Sequence, residues 1–433
     1  MAAKFIFVFV AMGQGDCCMV RCPDGKVVVV DCGSTTNKWG NPNWVAEAML
    51  LLRHGDWAGG NGDKVDALVL THSDADHHNK VVSFFSETQW QGDLKMPSTG
   101  QVLNRPTARR IGIGKIYLSD AHAANAPLGN YTGGNLNNEV IGGTFSTTDI
   151  YEVTINSKTD ANNSYRRWSS TNSFGAIVNP QPVNAHQIAG KRLTILSGKT
   201  EQTDWSVSIV AGNVARGYGG VTDGATADNA KSLVTLFEVG GKKALLCGDA
   251  TFSTEKFLLD AHQASDLLKN LELVQIPHHG SRYASGNKFV QMTKPQWVVA
   301  SVSFLEHSYR LPRYEYVIDR WLGEIEGQNR TTNDHDVDYW TVETEDGETI
   351  EDDDVQAKYK EWTNDGQNFS LVDWNDSKTF YFLKQPGNGV IALYNQQKGG
   401  LFLYRETVNS RLVLTSQKTQ IFDLTANGVT HRG

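Results

Sequence analysis

The stretch Leu68–Lys80, LVLTHSDADHHNK, constrains this chain more than any other. A short apolar run ends at Thr71, and His72, Asp74, Asp76 and His77 follow within six residues. A buried strand running into a loop of imidazoles and carboxylates is a common way to build a metal site. The strand fixes where the loop begins, and the tight spacing turns alternate side chains to one side. Imidazole suits zinc and carboxylate suits harder ions, so the mixed set fits Zn, Mn or Fe. The same residues would also suit a solvated loop, and matching pieces further along the chain decide against that.

Those pieces are polar clusters behind apolar strands. Leu245–Asp249 (LLCGD) ends in a carboxylate placed to bridge two ions, with a glycine before it that permits close backbone approach. Val274–Arg282 (VQIPHHGSR) brings paired histidines and then a small, donor-rich turn. Glu306–Pro312 (EHSYRLP) adds one more histidine. One such cluster is a weak signal, but four place their polar groups along one edge of a sheet sandwich.

The rest of the chain frames these motifs. Residues 4–10, 17–22 and 26–32 read as a meander of three strands, 43–54 as a helix, 65–71 as the strand feeding the metal loop, and 78–85 as a helix fixing its far end. From 87 to 190 Asn, Thr, Ser and Gly dominate and only 115–118 reads as a clear strand, which suggests a large insertion or lid. Strand periodicity returns at 192–196, 206–210, 232–238, 243–247, 271–276 and 297–302, with helices expected over 251–268 and 314–325. Residues 333–354 hold eleven acidic residues and no Lys or Arg, the composition of a solvated connector. The expected organisation is a main domain over 1–325, an acidic connector over 326–376 and a small β-rich module over 377–433.

Composition narrows the partners. The net charge is −8, so no global basic field draws nucleic acid or membranes, although local patches decide that question. The longest apolar runs fall far below the roughly 18 residues of a membrane span. Lys4 followed by FIFVFVA imitates a signal peptide, but the apolar core is short and GQGD stands where a cleavage site would be. We read it as the first strand and expect a cytoplasmic protein without membrane contact. The five cysteines contain no CxxC pair, which favours buried, reduced thiols.

THSDADH resembles the metal-binding signature of the metallo-β-lactamase fold superfamily, in the variant whose second histidine is aspartate. MGQGD with its hairpin, DNAKSLV at 228–234, LLCGD, PHHGSR and EHSYRLP resemble, in the same order, the hydrolase domain at the end of ComEC-type DNA-uptake proteins. The resemblance covers roughly residues 4–86 and 190–313. It implies an α/β fold, an αββα sandwich carrying up to two divalent ions, Zn or Mn, at its edge. His72 and Asp74 would hold the first ion and Asp76 and His77 the second. Asp249 would bridge them, and His279 would complete the second ion's ligand set. His278 would then touch the substrate's phosphoryl or leaving oxygen, although the order of the pair stays open.

Departures from the family pattern matter too. Asn229 stands where many members carry a metal-binding histidine, and His186, in a Pro/Asn-rich loop, is a weak alternative. Asn79 and Lys80 replace the usual Gly-Gly. The first ion is therefore expected to bind more weakly than the second. The implied activity is that of a metal-dependent phosphodiesterase, with a nuclease acting on DNA or RNA as its narrower form. In that reading Asp76 orients the attacking water, while Arg282, His307 and Ser281 bind phosphate oxygens. Lys80, Lys231, Arg310 and Arg313 are further candidate cations, and Asp16 is either a group behind the ligands or a turn former. Two other classes stay open: a hydrolase of a small ester, lactone or phosphodiester, and a non-enzymatic binding protein with a degenerate site.

Overall fold

The uninterrupted apolar run KFIFVF has no polar alternation, so a strand formed from it must be covered on both faces. In the computed structural model it is. Strand β1 (Lys4–Phe9) turns Phe5 and Phe7 one way, onto Phe237, at ring-centroid distances of 5.5 and 5.1 Å with edge-on geometry. Ile6 and Val8 turn the other way, into a core with Leu68, Leu70, Val81, Phe84 and Phe85. The structure describes residues 3–13, 15–35, 64–85, 94–95, 102–103, 112–119, 130–131, 136, 148–168, 188–200, 203–302, 311, 320–321, 370–372, 380–384, 390–395, 400–405, 411–415 and 419–432.

The strands after β1 are β2 (Cys18–Arg21), β3 (Val27–Val30), β4 (Lys64–Leu70), β5 (Leu94–Lys95), β6 (Val102–Leu103), β7 (Gly112–Leu118), β8 (Asp149–Thr154) and β9 (Ser164–Trp168). Then come β10 (Leu193–Thr200), β11 (Thr203–Ala211), β12 (Val234–Val239), β13 (Lys242–Leu246), β14 (Leu273–Gln275) and β15 (Trp297–Ala300). The last are β16 (Ser370–Val372), β17 (Phe380–Lys384), β18 (Val390–Asn395), β19 (Gly400–Arg405), β20 (Leu412–Leu414), β21 (Gln420–Thr425) and β22 (Gly428–His431). Five α-helical segments are named here: α1 (Ala75–His78), α2 (Val81–Phe85), α3 (Ala227–Ala230), α4 (Phe252–His262) and α5 (Asn287–Thr293).

Two large sheets result. One runs β22-β21-β1-β2-β3-β4-β7-β8-β9 and the other β10-β11-β12-β13-β14-β15-β20. This mixed α/β architecture is the one expected. Each sheet has a parallel centre: β3, β4 and β7 in the first, and β13, β14 and β15 in the second. Parallel strands end on the same side, so the residues just after β3, β4, β13, β14 and β15 gather along one edge, where such sheets place their chemistry.

The chain divides into two compact units, one of Met1–Ser303, Pro312–Ile325 and Leu412–Gly433, the other of Phe304–Leu311 and Glu326–Arg411. Strand pairing divides the run expected as a single C-terminal module. β17, β18 and β19 form an antiparallel sheet with β16, whereas β20 pairs with β15 and β21 pairs with β1. The region read as an insertion likewise supplies β7, β8 and β9 to the first sheet. Helix α4 stops at His262, short of the expected Leu268, because the Ser265 hydroxyl and N–H both donate to the His262 carbonyl. The expected helix over 43–54, nearly all of that over 314–325, and the acidic connector apart from β16 lie outside the described residues. Among the described residues no helix is long and apolar enough to cross a membrane. All five cysteines are buried and free of disulfides.

Glu255 on α4 ties that helix to the turn before α5. Its two carboxylate oxygens accept the N–H groups of Ser285 at 2.5 Å and Gly286 at 2.8 Å. Burial nevertheless pushes its carboxyl up to about 8 from an ordinary 4.5. A folded value above the unfolded one contributes stability that is complete below the unfolded value and fades as pH rises through the folded one. The native chain should therefore lose stability relative to Glu255→Gln between about pH 4.5 and 8. Denaturant titrations of both proteins across that window check it, and parallel pH profiles would refute it.

Candidate metal centre

The site is built from strand ends. Asp31 follows β3 in a left-handed conformation at φ 56° and accepts hydrogen bonds from the Thr71 N–H and hydroxyl, both at 2.7 Å. This closes the end of β4 onto the end of β3 and fixes where the metal loop starts. His77, on α1, donates from Nδ1 to the same Asp31 carboxylate at 2.8 Å. His72 donates from Nδ1 to the Thr71 hydroxyl at 3.1 Å, and His279 from Nδ1 to the Ser301 carbonyl at 2.7 Å. Each of the three rings thus spends its Nδ1 proton on the protein and keeps an Nε2 lone pair, the state of a metal-ligating histidine.

The three lone pairs converge on Asp249. His77 Nε2 lies 3.2 Å and His279 Nε2 3.3 Å from Asp249 Oδ1, while His72 Nε2 lies 3.8 Å from Oδ2. Gly248 makes this approach possible: it sits at φ 51°, and a Cβ there would come within 2.6 Å of the Thr71 side chain. His278 and His279 are both left-handed, at φ 52° and 50°. Each such residue costs about 1–2 kcal/mol, a strain of the kind that persists at functional sites. The His278 N–H holds the turn by donating to the Gly248 carbonyl at 2.9 Å.

The loop itself is held by backbone contacts. The Asp16 N–H donates to the Asp76 carbonyl at 3.2 Å, and the Cys32 N–H to the His77 carbonyl at 2.8 Å. A Cβ on Gly33 would lie 2.2 Å from the Asp76 carbonyl carbon and oxygen. Asn79 donates to the Ser34 carbonyl and accepts from the Ser34 N–H.

These groups fit a cation. Buried and without a hydrogen-bond partner are Asp16 Oδ1, Asp249 Oδ1 and the Nε2 atoms of His72, His77 and His279. Acceptors that face one another at this range are stable only around positive charge. Asp16, His77, Asp249 and His279 each offer a ligand atom, and these atoms lie within 4.8 Å of one another. Protonation answers the same demand. Burial opposes charge on His77, yet the Asp249 and Asp31 carboxylates outweigh it and hold the imidazole well above its usual value. Burial would raise Asp249, but His77, His279 and His278 together hold its carboxyl well below the carboxylate range. Asp16 has no such excess of partners, and burial pushes its carboxyl up.

The other expected site residues are placed less uniformly. Asp74 Oδ2 lies 3.4 Å from His72 Nε2, and the His72 contact holds its carboxyl low. Asp76 Oδ2 lies 3.8 Å from His279 Nε2. His278 lies beside the cluster, with Nε2 at 3.6 Å from Asp249 Oδ2 and a buried, unpartnered Nδ1. Arg282 is exposed and bound to its neighbour, donating to the Tyr283 hydroxyl at 2.6 Å and stacking over that ring at 4.7 Å. Lys231 pairs with Asp228 at 3.0 Å. His186, His307, Arg310 and Arg313 lie outside the described residues. Sequence reasoning missed Asp31, although VVVVD repeats the apolar-strand-then-carboxylate pattern that singled out LLCGD.

Comparison with known proteins follows this geometry. No curated protein matches the chain. Among solved structures, a diphosphatase of the PhnP family is 13% identical, with 72% of this chain and 90% of that one covered at a TM-score of 0.31. Human tRNase Z, short form, is 10% identical over 68% of this chain and 91% of that one, at 0.29. A CmlA beta-hydroxylase mutant is 10% identical over 70% of this chain and 46% of that one, also at 0.29. Residues 10–88 match the model of the metallo-beta-lactamase superfamily, a span that runs from Asp16 and Asp31 through the entire His72–His77 loop. The strand-and-loop half of this cluster is therefore similar to the metallo-beta-lactamase superfamily over residues 10–88.

Proposed function

We propose that the chain is a metal-dependent hydrolase acting on phosphodiesters, with nucleic acid as the favoured substrate class. The observation that carries this reading is the convergence of the His72, His77 and His279 Nε2 atoms, each buried and unpartnered, on the Asp249 carboxylate. His77, His279 and Asp249 would hold a divalent cation, with Asp76 at its open side and His72 and Asp74 on the far flank. Such an ion supplies an acidified water and offsets charge that develops on a phosphoryl group.

The chain's own groups do the rest. Asp31 holds His77, and the Ser301 carbonyl holds His279, each with its lone pair turned inward. Asp76, only partly buried, is the carboxylate that can accept a proton from incoming water. His278 accepts at Nε2 from the Asn229 amide at 3.0 Å, so its proton sits on Nδ1. Burial holds that ring's pKa below the usual value and keeps His278 neutral beside the cluster. The ordered motifs shared with ComEC-type hydrolase domains favour a phosphodiester over a carboxylic ester.

The test is hydrolysis of a generic phosphodiester and of single-stranded DNA with Zn, Mn or Mg across a salt series, on protein purified without chelator. Metal-dependent cleavage of both is expected. Affinity for DNA should fall steeply with salt, and Arg282→Ala should lower the slope by about one contact. Cleavage of the small diester alone, with a flat salt response, would transfer the assignment to a small-molecule hydrolase. No turnover of any phosphodiester or ester would leave a binding protein.

A further inference from the structure

The Asp249 carboxylate is not symmetric. Oδ1 faces His77 Nε2 and His279 Nε2 and has no hydrogen-bond partner. Oδ2 accepts from the Asn229 side-chain amide at 3.0 Å, and the same Nδ2 contacts His278 Nε2 at 3.0 Å. Asn229 is itself buried and fixed. It lies on α3, its backbone N–H donates to the Thr226 hydroxyl at 3.1 Å, and its Oδ1 meets that hydroxyl. Turning the amide over would set Oδ1 against Asp249 Oδ2, acceptor to acceptor, so the orientation is determined by its surroundings.

We infer that Asn229 sets the metal stoichiometry of this site: its amide clamps Asp249 Oδ2 and commits the carboxylate, through Oδ1, to a single ion at His77 and His279. The inference rests on the metal-dependent reading above and departs from a bridged pair of ions. An oxygen that already accepts a charge-assisted hydrogen bond has one lone pair committed and some of its charge offset, so it is a weaker ligand for a second cation. The flank that would receive this second cation is poor in other respects. It offers His72 Nε2 and Asp74, whose carboxylate side chain is 41% exposed and whose separation from His72 is 3.4 Å. Asn229, the group nearest the clamped oxygen, turns a donor toward it, and donors repel cations. The arrangement supplies one strong, buried binding position and one that Asn229 weakens.

The test is titration of metal-free, full-length protein with Mn2+, read by calorimetry and by the electron paramagnetic resonance of the bound ion. The native chain should take up one ion tightly, and any second should bind at least about tenfold more weakly, with the signal of isolated Mn2+. Asn229→Asp exchanges the amide donor for a ligand and should strengthen the second step by about tenfold or more, with an exchange-coupled pair signal appearing. Asn229→Ala, which frees Oδ2 without adding a ligand, should strengthen it by a smaller factor and serves if the first variant does not fold. Two equally tight steps in the native chain would overturn the inference and leave the hydrolase reading standing. So would a second step that neither variant moves. Absence of any tight step in all three proteins would overturn both.

Discussion

Asp249→Asn should leave the fold intact and remove metal uptake and turnover together. The substitution keeps the shape of the side chain and its contact with the end of β13. It takes away the one charge on which His77 and His279 converge at 3.2 and 3.3 Å. It also puts an amide beside the Asn229 amide, donor against donor whenever the new nitrogen faces that way. Metal affinity should fall by at least about 100-fold, at the upper end of what even outer partners of ligands contribute. Circular dichroism and thermal unfolding of the metal-free protein should stay close to native. A variant with full metal content and full turnover would show that Asp249 is not the centre of the site.

Gly33→Ala should be the more damaging change to the molecule as a whole. No ligand is altered, yet a Cβ at this position would lie 2.2 Å from the Asp76 backbone carbonyl, where no flexible side chain can yield. Either the β3 end or the metal loop must move. Forced overpacking costs on the order of 3 kcal/mol, and here it falls on the segment that carries Asp76 and His77. Lower stability in denaturant and weakened metal binding are expected from one added methyl group. Unchanged stability with unchanged metal uptake would mean that the loop is not held as tightly as its backbone contacts indicate.

The site was legible in the sequence where a side chain of unusual chemistry followed an apolar strand. His72, His77, Asp249 and His279 meet that condition, and the structure brings them together. Asp31 meets it as well, but without a glycine before it, of the kind that precedes Asp249, it reads as no more than a strand end. The Ser301 carbonyl that orients His279 is a backbone atom, and no residue choice advertises it. Asn229 could be noticed as a poor ligand. That its amide reaches both Asp249 and His278 depends on three segments meeting, which spacing along one chain does not encode. The fold shows the same division. β1 and β3 announce themselves by uninterrupted apolar runs, whereas β8 and β9 lie in a polar region whose composition hides them. β21, the second partner of β1, was invisible for a different reason, since pairing of residues so far apart leaves no local pattern.

That pairing has a consequence for how the molecule is made. Lys4 Nζ reaches Asp423 Oδ2 across 419 positions of chain, and the strands around them pair in register from Lys4↔Thr425 to Phe9↔Gln420. On a ribosome adding about 5–20 residues per second, β1 emerges roughly 20–80 s before the strand that will cover its edge. Throughout that interval its outer row of N–H and C=O groups, flanked by Phe5, Phe7 and Phe9, is open to any extended segment nearby. β1 is sealed only once β21 has emerged, so nascent copies of this protein depend on being kept apart until translation reaches β21.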